Sequence, residues 1–106
     1  MVIFSNGPLP EKFRSDIIIG PEGKEFALPE ALALEYIEWC DQNNYRVFGF
    51  DVWVPEPDGI YSLDGFGFNG DSVESKERII QVRNHPSLKQ YSNAPVFNIW
   101  AEFPQE

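Results

Sequence analysis

Hydrophobic and polar residues in the first half of the chain repeat with the period of a helix. Over residues 29–43 the apolar side chains recur every three or four positions and fall on one arc of a helical wheel. The members of that arc are Leu32, Ala33, Tyr36, Ile37, Trp39 and Cys40. Leu34 falls on the opposite, acidic arc and is expected to be exposed. Because Pro29 suits a first helical turn and Asn43 a stop, the pattern predicts an amphipathic helix from about Pro29 to Asn43.

The period then changes to two, which predicts a strand over residues 45–54. Alternation separates a face expected to be core (Phe48, Phe50, Val52, Val54) from a second face (Val47, Gly49, Asp51, Trp53). The run Pro55-Glu56-Pro57-Asp58-Gly59 is rich in turn residues, and residues 60–63 begin a second strand. This order is typical of a β-hairpin.

Two further elements follow. Asp71 and Glu74 have the spacing of a capping box, which predicts a second helix that ends before Pro86. Its apolar side is predicted to hold Val73, Ile79, Ile80 and Val82. Residues 96–103 alternate as a last strand, with Phe97, Ile99, Ala101 and Phe103 inward and Asn98, Trp100 and Glu102 outward.

The order of these elements indicates the fold class. Strands and helices do not alternate as regular β-α-β units, and one strand pair is a predicted hairpin. We therefore expect residues 1–106 to form a single small α+β domain, in which an antiparallel or mixed β-sheet packs with two α-helices. The run Ile17-Ile18-Ile19 is either a short strand or a buried turn.

Charge is the most informative property of the composition. The chain of 106 residues has a formal net charge of −9, and 42% of its residues are hydrophobic, enough for a packed core. The acids are concentrated in residues 11–41, with eight acids and three bases, and in residues 51–77, with seven acids and one base. Such a surface repels nucleic acid and anionic membranes, so neither is expected as a direct partner. It either serves solubility or steers association with a basic protein.

Other features predict the compartment. Cys40 is the one cysteine, so no internal disulfide can form, and its place on the apolar arc predicts an inert core thiol. The first residues lack the basic start and long apolar stretch of a signal peptide, and no run approaches the roughly 18 apolar residues of a membrane span. We expect a cytoplasmic protein.

Motifs for chemistry are weak. Residues 65–70 match G-x-G-x-x-G, but Asp71 follows where a phosphate would bind, so no nucleotide is expected. A calcium loop starting at Asp64 would place Phe66 and Phe68 at ligand positions, so no metal is expected either. His85 is the one histidine and directly precedes Pro86, which suits a helix-end role. These patterns predict neither a cofactor nor an enzyme.

Aromatic and acidic residues indicate a binding surface instead. Trp53 and Trp100 fall on strand faces opposite the predicted core sets, so neighbouring strands would form an aromatic patch rimmed by acids. The alternative is that this face is covered and both tryptophans are core. On the first hypothesis the partner-binding residues are Asp51, Trp53, Glu56, Asp58, Asp64 and Trp100.

Residues 27–83 show a distinctive order of features: the helix ALPEALALEYIEWCDQNNY leads into VFGFDVWV, then a turn and YSLDGFGFNGDSVESKERI. This order resembles a family of immunity proteins from bacterial polymorphic-toxin systems. The sequence departs from the family at Gly65-Phe66-Gly67-Phe68, where an Asn-Trp-Tyr run is expected. The resemblance implies a small binding protein that neutralises a cognate toxin by occluding it, without chemistry of its own.

Two other functions are compatible with the sequence. One is a structural or regulatory module that forms an oligomer through the tryptophan face. The other is a carboxylate-dependent hydrolase that uses Asp51 and Asp64 as acid and base.

Overall fold

The computed structural model describes residues 2–5, 10–20, 25–63 and 68–104, with the backbone alone for residues 2–5, 15–16 and 103–104. This part of the chain contains helices α1 (Glu30–Gln42) and α2 (Ser72–Val82) and 3-10 helices at Glu11–Asp16 and Pro86–Gln90. Its strands are β1 (Val2–Ser5), β2 (Ile18–Ile19), β3 (Phe26–Pro29), β4 (Arg46–Glu56), β5 (Gly59–Ser62), β6 (Phe68–Asn69) and β7 (Val96–Pro104).

The described strands form one antiparallel sheet with β4 and β7 at its centre. They pair from Arg46↔Glu102 to Trp53↔Val96. The other edge of β4 pairs with β5 and β6, and the other edge of β7 pairs with β3 and β1. Strand β2 extends the sheet beyond β3. The α+β fold predicted from the sequence is confirmed, and Ile18–Ile19 is a strand rather than a turn.

Both helices pack on the same face of the sheet, which we call the helix-covered face. Side chains of α1 and α2 join Phe50 and Val52 of β4 and Phe97 and Ile99 of β7 in the main core. Tyr36 of α1 lies at its centre, with edge-on contacts to Phe13 and Phe26 at ring-centroid distances of 5.4 and 5.7 Å. Burial of these large rings contributes to the hydrophobic stabilisation of the fold.

A row of polar contacts joins the two helices along their length. The Ser72 hydroxyl donates to Asp41, Lys76 lies 3.8 Å from Glu38, and Arg83 donates to both carboxylate oxygens of Glu30. The start of α2 contacts the end of α1, and the end of α2 contacts the start of α1, so the two helices are antiparallel. It also directs Lys76 and Arg83 toward α1.

The buried side of α2 differs from the predicted one. Ile79 and Val82 are buried as expected, but Val73 is 61% exposed and Ile80 43% exposed. Ser75 takes the third buried position, where its hydroxyl donates to the Gly70 carbonyl at 3.2 Å. The prediction for Val73 and Ile80 was wrong because a hydrogen-bonded serine replaces an apolar residue in the buried stripe. Leu34 of α1 was also misplaced, since it is half-buried against the main core.

A β-bulge changes the predicted alternation of β4. The register with β7 shifts between Val47 and Gly49, so Val47 points into the main core and Phe48 is only half-buried. Beyond the bulge, Phe50, Val52 and Val54 are buried as predicted. Gly49 has φ +150°, and a Cβ there would lie 2.0 Å from the Phe68 carbonyl oxygen. The close approach of β6 therefore requires glycine at this position.

Candidate functional site

Trp53 lies inside the protein, which corrects the prediction that it faces outward. It is 8% exposed and forms a second, smaller core with Ala27 and Val96, against which Ile18 and Ile60 pack. Gly20 lies against the ring, since a Cβ there would lie 3.3 Å from Trp53 Cη2. On the face opposite the helices, Ile18, Gly20 and Ala27 thus cover this point, and Trp53 is not available to a partner.

Asp51 and Trp100 are brought together on that same opposite face. The indole N–H of Trp100 donates to Asp51 Oδ2 at 2.8 Å, and both side chains are half-buried. Adjacent to them, Asn98 is buried at 1% exposure and donates to the Phe26 carbonyl at 2.8 Å. Strands β4 and β7 are neighbours, which is the condition for the aromatic patch. However, Asp51 and Trp100 hydrogen-bond to each other, so they do not form an open acidic rim around an exposed anchor.

Glu56 ends β4 and binds the loop before β7. Its carboxylate accepts from the backbone N–H groups of Ser92 and Asn93 at 2.9 and 3.1 Å and from the Ser92 hydroxyl at 3.1 and 3.0 Å. Asn93 also donates through its side chain to the Pro55 carbonyl at 2.6 Å. These hydrogen bonds hold the pKa of Glu56 below its ordinary value, and the bond from the Ser92 N–H makes the largest contribution. Glu56 therefore fixes the loop that follows the second 3-10 helix.

Next to this attachment, the turn presents an acidic and aromatic surface. Asp58 is exposed, and it accepts from the Tyr61 hydroxyl at 2.6 Å. Tyr61 is 41% exposed, and its ring packs against Tyr91 with centroids 5.5 Å apart. The Asp58 hydrogen bond raises the pKa of Tyr61, because ionisation would place a second negative charge beside the carboxylate. We call Asp58, Tyr61 and Tyr91 the hairpin tip.

The tyrosines of the hairpin tip were missed at the sequence level. Tyr61 lies in the predicted second strand and pairs directly with Val54, so strand alternation could have identified it. Tyr91 follows a short 3-10 helix and carries no periodic signal. Only the three-dimensional arrangement places it beside Tyr61.

Asp64 and the glycines at 65 and 67 lie outside the described residues. The Asp51 and Asp64 pair suggested for a hydrolase therefore stays a prediction. Within the described residues, no group of three or more His, Cys, Asp or Glu side chains is arranged to hold a metal ion.

The start of α2 matches the capping prediction. Asp71 accepts from the Glu74 N–H at 2.9 Å, and the Asp71 N–H donates to the Glu74 carboxylate at 3.5 Å. A cleft of about 530 Å³ opens beside it, lined in part by Asp41, Asp71 and Arg46. Because Asp71 already occupies the positive end of the helix dipole, the cleft is poorly suited to a phosphate.

Cys40 is fully buried among the main-core side chains, as the sequence predicts. Burial raises the pKa of its thiol to about 12. A thiol in this state is not a nucleophile at neutral pH.

In comparisons with known proteins, no family model, curated protein or solved structure matches the chain. The similarity of residues 27–83 to immunity proteins stays a prediction. In the part of the chain that the structure describes, neither helix has the length and apolar character needed to cross a membrane.

Proposed function

We propose that this protein is an immunity-type binding protein that neutralises a basic toxin domain by covering its functional surface. The observation that carries the proposal is the hairpin tip, where an exposed carboxylate stands beside a pair of tyrosine rings. Tyrosines are frequent energetic centres of protein interfaces, because they bury a large ring and keep a polar end. The tip replaces Trp53 as the aromatic part of the predicted surface.

The geometry of the tip favours binding because the tip is held in place before a partner arrives. Glu56 attaches the loop that carries Tyr91 through its contacts with Ser92 and Asn93. The Asp58 and Tyr61 side chains fix each other. A preorganised surface loses less conformational entropy on association, which leaves more of the contact energy for affinity.

Net charge supports a basic partner. At −9, the chain attracts cationic proteins over distances of about one Debye length, roughly 8 Å at physiological ionic strength. Nuclease-type toxins have basic surfaces because they bind phosphates, so an acidic inhibitor would associate with them rapidly.

The proposal is tested by producing this chain together with the product of the adjacent gene. We expect the adjacent protein to be toxic alone, cells to survive when both are made, and the two to copurify. The proposal is wrong if the adjacent protein is harmless. It is also wrong if that protein kills cells despite the presence of this chain and does not copurify with it.

A charge reversal then tests the hairpin tip itself. Asp58→Lys is expected to slow association with the toxin by about tenfold at low salt and to weaken the salt dependence. Glu11→Lys, at an exposed residue of the first 3-10 helix, makes the same change in net charge elsewhere and should have a smaller effect. If both variants slow association equally, the net charge of the chain determines the association rate and the hairpin tip makes no specific contribution.

A further inference from the structure

Helix α2 carries exposed apolar side chains that folding does not explain. Val73 is 61% exposed and Ile80 43% exposed, and they lie seven residues apart, so they share one outward stripe of the helix. Val and Ile are weaker helix formers than Ala, Glu or Lys, so neither is favoured there by helix propensity. The buried stripe of α2 is formed by other residues, Ser75, Ile79 and Val82.

The layer formed by the two helices is net negative because of α1, whereas the segment of α2 is neutral overall. Residues 30–42 hold four acids and no base, and residues 71–83 hold three acids and three bases. Each of those three bases is engaged within the chain: Lys76 faces Glu38, Arg83 binds Glu30, and Arg78 lies 4.9 Å from the centre of the Phe68 ring. Glu77 is exposed between Val73 and Ile80.

The stripe lies on the same side of the molecule as the hairpin tip. Helix α2 packs on the helix-covered face of β4, where Phe50 and Val52 lie. By strand alternation Val54 lies on that face too, and Tyr61 is its direct partner on β5, so Tyr61 shares the face. The end of α2 and the loop held by Glu56 are neighbours, because Arg83, Leu88 and Ser92 line one cleft of about 480 Å³. A single partner can therefore contact both the tip and the helix.

We infer that the outer face of α2, with Val73 and Ile80 at its centre and Glu77 between them, is a second contact surface for the same basic toxin domain. The inference rests on the proposed function and extends it. The partner that fits presents apolar side chains surrounded by lysine or arginine. A second copy of this chain fits poorly, since it would place two negatively charged helical layers against each other.

The test compares Val73→Ser/Ile80→Ser with Ile19→Ser in binding to the adjacent gene product. Ile19 is a matched control, because it is 49% exposed on the β2 edge strand, which extends the sheet beyond β3 whereas α2 packs on β4. We expect the double variant to raise the Kd at least about tenfold, mainly through faster dissociation, and the control to change it less than about twofold. Glu77→Lys should slow association and reduce its salt dependence.

The outcomes separate the two proposals. If the wild-type chain binds and the double variant binds equally well while remaining folded by circular dichroism, the α2 surface is wrong and the proposed function stands. If the wild-type chain forms no complex, both proposals fail. Analytical sedimentation tests the alternative occupant. If the wild-type chain is a dimer and the double variant is a monomer, the α2 surface binds a second copy of the chain and the inference of a basic partner is wrong.

Discussion

At the hairpin end, each face of the sheet is covered by another part of the chain. The contacts are polar on one face and apolar on the other, and we call them the polar and the apolar closure. On the helix-covered face, the carboxylate of Glu56 binds Ser92 and Asn93 through hydrogen bonds. On the opposite face, Ile18, Gly20 and Ala27 pack on the Trp53 ring. The first contact depends on charge and lies among exposed groups, whereas the second depends on packing around a ring that is 8% exposed.

The difference shows how one strand can serve a core on both sides. In β4, alternation sends Phe50 and Val52 toward the helices and Asp51 and Trp53 the other way. The opposite face combines buried apolar groups with the Asp51–Trp100 hydrogen bond and the buried amide of Asn98. A face that looks polar in sequence can therefore be closed when each polar group finds a partner.

The largest expected effect is loss of the apolar closure. Trp53→Ala should lower the free energy of unfolding by about 3–5 kcal/mol, because it leaves a cavity beneath Gly20. Phe50→Ala, on the helix-covered face, should cost a similar amount, since the two aromatic residues are 8% and 2% exposed. Urea denaturation of both variants measures these losses.

A different result for Trp53 would reverse the comparison. If Trp53→Ala unfolds at the wild-type urea concentration while Phe50→Ala does not, the opposite face is not closed over the ring. Trp53 would then be available as a contact residue, and it should be tested for binding to the adjacent gene product.

An intermediate effect is expected from the buried amide of the opposite face. Asn98→Ala leaves the Phe26 carbonyl without its 2.8 Å hydrogen bond and should cost about 1–3 kcal/mol. Asn69→Ala, at an exposed position of β6, should change stability by less than about 0.5 kcal/mol. Equal stability of the two variants would mean that water replaces the lost donor and that this part of the face is open.

Local sequence patterns were sufficient for the elements but not for these closures. The period of α1, the alternation of β4 and β7 and the Asp71–Glu74 spacing predicted both helices and the two longest strands, because each signal spans neighbouring residues. The pairing of β4 with β7 was not predicted, because it joins residues about 50 positions apart. Strands β2 and β6 have two residues each and carry no measurable period. The burial of Trp53 depends on Gly20, which is distant in the chain, so alternation alone could not detect it.

The candidate site was predicted only in part for the same reason. The sequence identified Glu56 and Asp58 as turn acids, yet their roles differ: Glu56 binds a loop 36 residues away, while Asp58 is exposed and binds Tyr61. Nothing in the spacing of residues 55–59 separates these two carboxylates. A charge reversal at Glu56 would therefore disturb the fold as well as any interface, which makes Asp58 the better test of binding.

The smallest expected effect concerns the polar closure, and it depends on pH. The pKa of Glu56 is lowered in the folded protein from its ordinary value of 4.5, chiefly by the Ser92 N–H, so folding favours the carboxylate form. Its contribution to stability is complete above the ordinary value and is lost as the pH falls through the lowered one. Urea denaturation of the wild type and Glu56→Gln should show a gap at neutral pH that narrows progressively below about pH 4.5.

The control for this experiment is Glu11→Gln, which removes one negative charge from an exposed residue of the first 3-10 helix. At neutral pH we expect Glu56→Gln to be less stable than Glu11→Gln, because only the former loses charge-assisted bonds to Ser92 and Asn93. A gap between the wild type and Glu56→Gln that keeps its size in acid would show that the loop is held without the carboxylate charge. The two closures would then differ in shape alone, and lowering the pH would not detach the loop that carries Tyr91.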